Sequence, residues 1–159
     1  MAFKNIIKVR NIYKKILIAT DGSPHAKNAT KKAVELQKFY NCNVVIIHSI
    51  KDNRVPSELY PNIESLYSKY SSMEDLYKDA GKKLLNSTKK MFGENESFVE
   101  TRLIENETPQ DYIKHIVEEE KFDLVILGSQ GHHSKLKKVL GTVSSKLTKN
   151  LECDILLVN

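Results

Sequence analysis

Short, continuous, branched apolar runs alternate along this chain with longer segments whose apolar residues recur every three or four positions. That alternation constrains the fold more than anything else in the sequence. The runs are Lys15 to Thr20, Asn43 to Ile50, Phe98 to Ile104, Asp123 to Leu127 and Asp154 to Val158. Each has the length and branching of a strand. Between them lie four helical stripes: Ala26, Ala29, Ala33, Leu36 and Tyr40; Met73, Tyr77, Ala80, Leu84, Thr88 and Met91; Tyr112, Ile113, Ile116 and Val117; Val143, Leu147 and Leu151. Strands that take turns with helices pair in parallel, with right-handed crossovers covering the sheet. The expected fold class is therefore α/β, an open, mainly parallel five-stranded sheet with helices on both faces. Phe98 to Ile104 alternates polar and apolar residues, which suits an edge strand or a half-exposed face.

The punctuation agrees with these boundaries. Ser23-Pro24 and Thr108-Pro109 each offer a hydroxyl cap followed by a first-turn proline. Gly93 can stop the second helix. Asp21, at the carboxyl end of the first strand, is a turn or capping carboxylate on the plainest reading. His48 ends a buried strand, and nothing near it in sequence completes a triad, so the sequence gives it no chemical role. Residues 51 to 72, with Pro56, Pro61, Tyr60, Tyr67 and Tyr70, read as a loop with short helical turns near a ligand mouth. Their tyrosines make a small satellite core more readily than a base-stacking surface.

Of 159 residues, 40% are hydrophobic and 28% charged, as in a soluble globular domain. The expected organisation is a basic leader over 1–14 and a single α/β domain over 15–159. No apolar run approaches a membrane span. Charges interrupt the leader's apolar residues, which argues against a signal peptide and for a cytoplasmic location. Cys42 and Cys153 read as free thiols of a reducing compartment. The net charge is +5, but Lys4, Lys8, Arg10, Lys14 and Lys15 account for it, leaving 20 basic and 20 acidic residues that cancel. The distribution argues against nucleic acid as a partner. Within the balanced part, residues 124 to 151 carry five lysines, Lys135, Lys137, Lys138, Lys146 and Lys149, and no acid. A local positive field of that kind favours an anionic ligand.

The basic segment coincides with the most informative motif, Gly128-Ser129-Gln130-Gly131, nine residues, then Gly141-Thr142-Val143-Ser144. It follows a buried strand and opens a helix. Gly128 and Gly131 can take positive φ and admit a ligand close to the backbone. The first N–H groups of the helix beginning at Gly141 have no partner within it. Together these are the parts of a phosphate cradle. Neither the dinucleotide pattern Gly-x-Gly-x-x-Gly nor the P-loop pattern occurs, so those nucleotide classes are excluded.

This spacing resembles that of the universal stress protein family, in its nucleotide-binding branch. Ala19-Thr20-Asp21-Gly22-Ser23 and Ile47-His48-Ser49 are similar to two further segments of the family, and the likeness runs from about residue 14 to 158. It implies a Rossmann-like sheet of strand order 3-2-1-4-5. With that order, Asp21 and Gly128 face one crevice where the winding reverses. The resemblance implies an adenosine end at Ala19, Asp21 and Ser49, with Thr20 also among the cofactor-binding residues. It implies phosphates and ribose around Leu127, Gly128, Gly131, Gly141, Thr142, Val143 and Ser144, with His132 beside them. Ser49 departs from the apolar residue usual there, and Thr142 from the commoner serine. The implied cofactor is ATP or another adenine nucleotide, with Mg²⁺ or Mn²⁺ on its phosphates. The implied activity is nucleotide-dependent regulation, with slow ATP hydrolysis or a nucleotide-free interaction module as alternatives. The implied partner is a second copy, paired through the last strand, whose apolar edge Ile155-Leu156-Leu157-Val158 lacks protective lysine or proline.

Overall fold

The computed structural model describes residues 12–51, 69–131 and 140–159. Most of the leader, most of the 51–72 segment, His132 and the lysines Lys135, Lys137 and Lys138 lie outside the described residues. In chain order the elements are β1 (Lys15–Ala19), α1 (Pro24–Tyr40), β2 (Asn43–Ser49), α2 (Met73–Lys90), a 3-10 helix (Gly93–Phe98), β3 (Val99–Ile104), α3 (Pro109–Glu120), β4 (Leu124–Gly128), α4 (Thr142–Leu147) and β5 (Asp154–Val158). The strands form one sheet in the order β3-β2-β1-β4-β5, and every neighbouring pair is parallel.

Alternation along the central strands divides the core between the two faces. Ile16 and Ile18 of β1, Val44 and Ile46 of β2 and Ile126 of β4 face Ala29 and Ala33 of α1 and Leu85 of α2. Leu17, Val45, Ile47, Val125 and Leu127 face the other way, toward Ile113, Ile116 and Val117 of α3 and Leu147 of α4. Alanines on the inner face of α1 let that helix lie close on the sheet. Ahead of β1, Tyr13 packs against the first cluster and donates to Asp154 Oδ2 at 2.9 Å.

Four expectations need correction. Gln37 and Thr30 are buried on α1 where Leu36 and Tyr40 are only partly covered. The buried stripe of α2 is Leu76, Ala80, Gly81, Leu84, Leu85 and Thr88, while Met73 and Met91 are 39% and 37% exposed. The stripe is turned because Gly81 closes on the sheet: a Cβ there would stand 2.5 Å from Leu103 Cδ1. Phe98 closes the 3-10 helix and is 37% exposed, and the third strand begins at Val99. Finally, the described glycines with positive φ are Gly22 (79°) and Gly93 (56°), not Gly128 or Gly131.

Candidate functional site at the ends of β1 and β4

The winding reverses between β1 and β4, since the chain goes from β1 outward to β2 and β3 in one direction and from β4 to β5 in the other. Open parallel sheets bind ligands at the carboxyl ends of the strands at such a point. Ile18 lies opposite Ile126, so the two strands deliver Thr20 and Gly128 at one level.

The exit from β1 is tightly bonded. Thr20 N–H donates to Ile47 O at 3.0 Å, and Gly22 N–H to Thr20 Oγ1 at 3.2 Å. Ser23 N–H donates to Asp21 Oδ1 at 2.9 Å, and Ser23 Oγ caps α1 by accepting from Ala26 N–H at 3.2 Å. Asp21 thus has the turn role its position suggests, through one oxygen. Its other oxygen meets the glycine loop: a Cβ built on Gly131 would stand 2.7 Å from Asp21 Oδ2. Gly141 also approaches the loop, less tightly: its Cβ would stand 3.3 Å from Gly131 N.

Gly141 caps α4 without a side chain to bond the helix. Its own N–H donates to Ser129 O at 2.8 Å, and the first bond within the helix is Ser145 N–H to Gly141 O at 2.9 Å. The N–H groups of Thr142, Val143 and Ser144 therefore have no acceptor in the helix, the arrangement that suits an anion. Asp21, Gly131, Gly141 and these N–H groups are brought together. Leu127 is core, and Val143 packs against the same cluster, so their side chains serve packing. Ser144 is 2% exposed, and its hydroxyl donates to Gly128 O at 3.0 Å. Ser49 lies at the end of β2, where its hydroxyl donates to Glu107 O at 2.6 Å and fastens the loop after β3.

Gly128 is glycine for a reason the loop pattern does not reveal. A Cβ there would stand 2.8 Å from Ala26 N and from the His25 carbonyl carbon, and 2.9 Å from His25 Cβ. The first turn of α1 rests on that spot.

Sequence reasoning missed Ser129, and left His48 as a packed histidine without a chemical role. Ser129, 6% exposed, donates its N–H to Val158 O at 2.8 Å and its hydroxyl to Asn159 Oδ1 at 2.5 Å, tying the glycine loop to β5. A serine between glycines carries no signal of such a bond. His48, 7% exposed, has Nδ1 2.8 Å from Thr20 O. Burial pushes its pKa down, against the Thr20 bond and the Asp21 charge. Among the described residues no three His, Cys, Asp or Glu side chains cluster as metal ligands, and no helix is long and apolar enough to cross a membrane.

The model of the universal stress protein family matches residues 12–159. The chain belongs to that family. A universal stress protein of Methanocaldococcus jannaschii, MJ0531, is 29% identical over 151 residues, spanning 93% of this chain and 83% of that one. The solved structure of protein MJ0577 superposes with a TM-score of 0.68 at 27% identity, covering 92% of this chain and 96% of that one. A universal stress protein of Archaeoglobus fulgidus, solved in complex with dAMP, shares the fold with a TM-score of 0.60 at 18% identity, covering 93% and 99%. The strand order of this universal stress protein is the one its sequence resemblance implied.

Proposed function

We propose that this universal stress protein binds an adenine nucleotide, ATP foremost, across the carboxyl ends of β1 and β4, and acts as a nucleotide-dependent regulatory protein of the cytoplasmic stress response. The observation that carries the reading is the meeting of Asp21 Oδ2 with Gly131, 2.7 Å from where a Cβ would stand, beside a helix start that has no side-chain cap. A carboxylate is a good acceptor for ribose hydroxyls, and free N–H groups suit phosphates. Ala19, Thr20, Asp21 and Ser49 form the nucleoside end. The backbone of Leu127, Gly128, Gly131, Gly141, Thr142, Val143 and Ser144 forms the phosphate end, with His132 next to it in sequence. Mg²⁺ or Mn²⁺ enters on the phosphates, for which oxygen ligands from the nucleotide suffice. The dAMP held by the Archaeoglobus fulgidus relative supports an adenine nucleotide as the ligand class.

The same reading includes a homodimer through β5. That strand is a sheet edge, and Ile155 to Val158 are only half-buried in the single chain. Pairing with a two-fold mate covers such an edge. The nucleotide reading is tested by denaturing the purified protein and identifying released small molecules by mass spectrometry. Adenine nucleotide in near-stoichiometric amount is expected; a protein released empty that also ignores added ATP contradicts it.

A further inference from the structure

We infer that His48 is a positioning residue for the site at β1 and β4: its ring holds the Thr20 carbonyl and thereby sets where Asp21 stands. The inference rests on the nucleotide reading above and adds a residue from β2 that does not itself touch the ligand.

His48 shares its face of β2 with Ile46 and Val44, two and four residues earlier, the face that packs against α1 and α2. At this point the sheet would ordinarily carry another aliphatic side chain. Instead a titratable ring is buried, and α2 makes room for it. A Cβ on Gly81 would stand 3.1 Å from His48 Cδ2, while Leu103, the partner of His48 in register on β3, presses on the same spot. The ring is packed from behind by α2 and β3 and has one bond in front, Nδ1 to Thr20 O at 2.8 Å. A carbonyl only accepts, so Nδ1 carries the hydrogen and donates. Thr20 is itself 7% exposed, so its carbonyl has little water to turn to.

That carbonyl belongs to the peptide joining Thr20 to Asp21. The N–H of Thr20 is fixed by Ile47, its hydroxyl takes Gly22 N–H, and Asp21 Oδ1 takes Ser23 N–H. His48 adds an anchor on the peptide directly ahead of Asp21. Without it the peptide loses the bond to its carbonyl, and Asp21 Oδ2 is held less firmly at its distance from Gly131.

The test uses two amides that differ in reach. The Asn amide nitrogen stands near the place of His Nδ1, whereas the Gln amide nitrogen reaches the place of Nε2. ATP with Mg²⁺ is titrated calorimetrically into the wild type, His48→Asn and His48→Gln, and the folded fraction of each is measured by thermal melting. Both substitutions loosen the core and lower the melting temperature. His48→Asn is expected to hold ATP within about threefold of the wild type, and His48→Gln to bind about tenfold more weakly, the size of one lost hydrogen bond. Equal affinities for the two variants, whether both normal or both weak, overturn the positioning role. A wild type that takes up no ATP removes the site itself, and this inference with it.

Discussion

Replacing Gly128 with alanine separates packing from ligand contact more sharply than any other single change. The new methyl would stand 2.8 Å from Ala26 N and the His25 carbonyl carbon, and backbone atoms in the capped first turn of α1 cannot rotate aside. Relief requires α1 to lift from β4. Inserting a methyl into a well-packed core costs about 1–3 kcal/mol, and the rigidity of this neighbour puts the cost near about 3 kcal/mol. For a chain of this length about 1 kcal/mol shifts the melting temperature by about 2–4 °C, so a fall of about 6–12 °C is expected. Gly131→Ala is the control. Its methyl meets Asp21 Oδ2, the far end of a side chain that can swing away, at the cost of the bond to Ser23 N–H, about 1 kcal/mol. Differential scanning calorimetry of both variants, with ATP titration, reads the two effects apart. Gly128→Ala is expected to lose stability chiefly, and Gly131→Ala to lose affinity chiefly. A melting temperature for Gly128→Ala within about 2 °C of the wild type refutes the close-packing argument.

Acid should dissolve one ion cluster at the edge of the sheet. Arg102 and then Lys15 hold the Glu120 carboxyl down to about 2, with contacts of 2.7 Å and 2.6 Å; the folded value lies below the unfolded one, so the stabilisation is complete above about pH 4.5 and fades as the pH falls toward about 2. Because the cluster meets solvent, Glu120→Gln is expected to cost about 1 kcal/mol in urea unfolding at pH 7 and little at pH 2, and an equal difference at both pH values contradicts the assignment. For the β5 edge, light scattering at micromolar concentration is expected to give the mass of two chains; a single-chain mass removes the pairing.

Most of the sheet was legible because β1, β2, β4 and β5 are each a continuous branched run, a pattern few other structures tolerate. The order of the strands was not, since periodicity says which face is buried and nothing about which strand is the neighbour; it came from the resemblance of the glycine spacing. On α2 the stripe was right at Ala80, Leu84 and Thr88, but the apolar residues Met73, Tyr77 and Met91 drew it off the centre of the buried face. The packing there is decided by Gly81, whose lack of a side chain is invisible to a hydrophobic pattern. The glycine loop was found, but the reason for its glycines was misread. Gly128 and Gly131 serve close approach, to α1 and to Asp21, rather than positive φ. Ser129 was passed over because its bonds reach a distant segment, at Val158 and Asn159, which one sequence does not encode, and the Thr20 carbonyl that His48 meets is equally invisible to it.

The most direct measurement is an isothermal titration of the purified full chain with ATP and Mg²⁺, repeated on Gly131→Val with circular dichroism to confirm its fold. The account predicts saturable binding of one nucleotide per chain at micromolar strength, lost in the folded variant because the valine occupies the space between Gly131 and Asp21. Absence of binding by the wild type at millimolar ATP, or undiminished affinity in Gly131→Val, would contradict it.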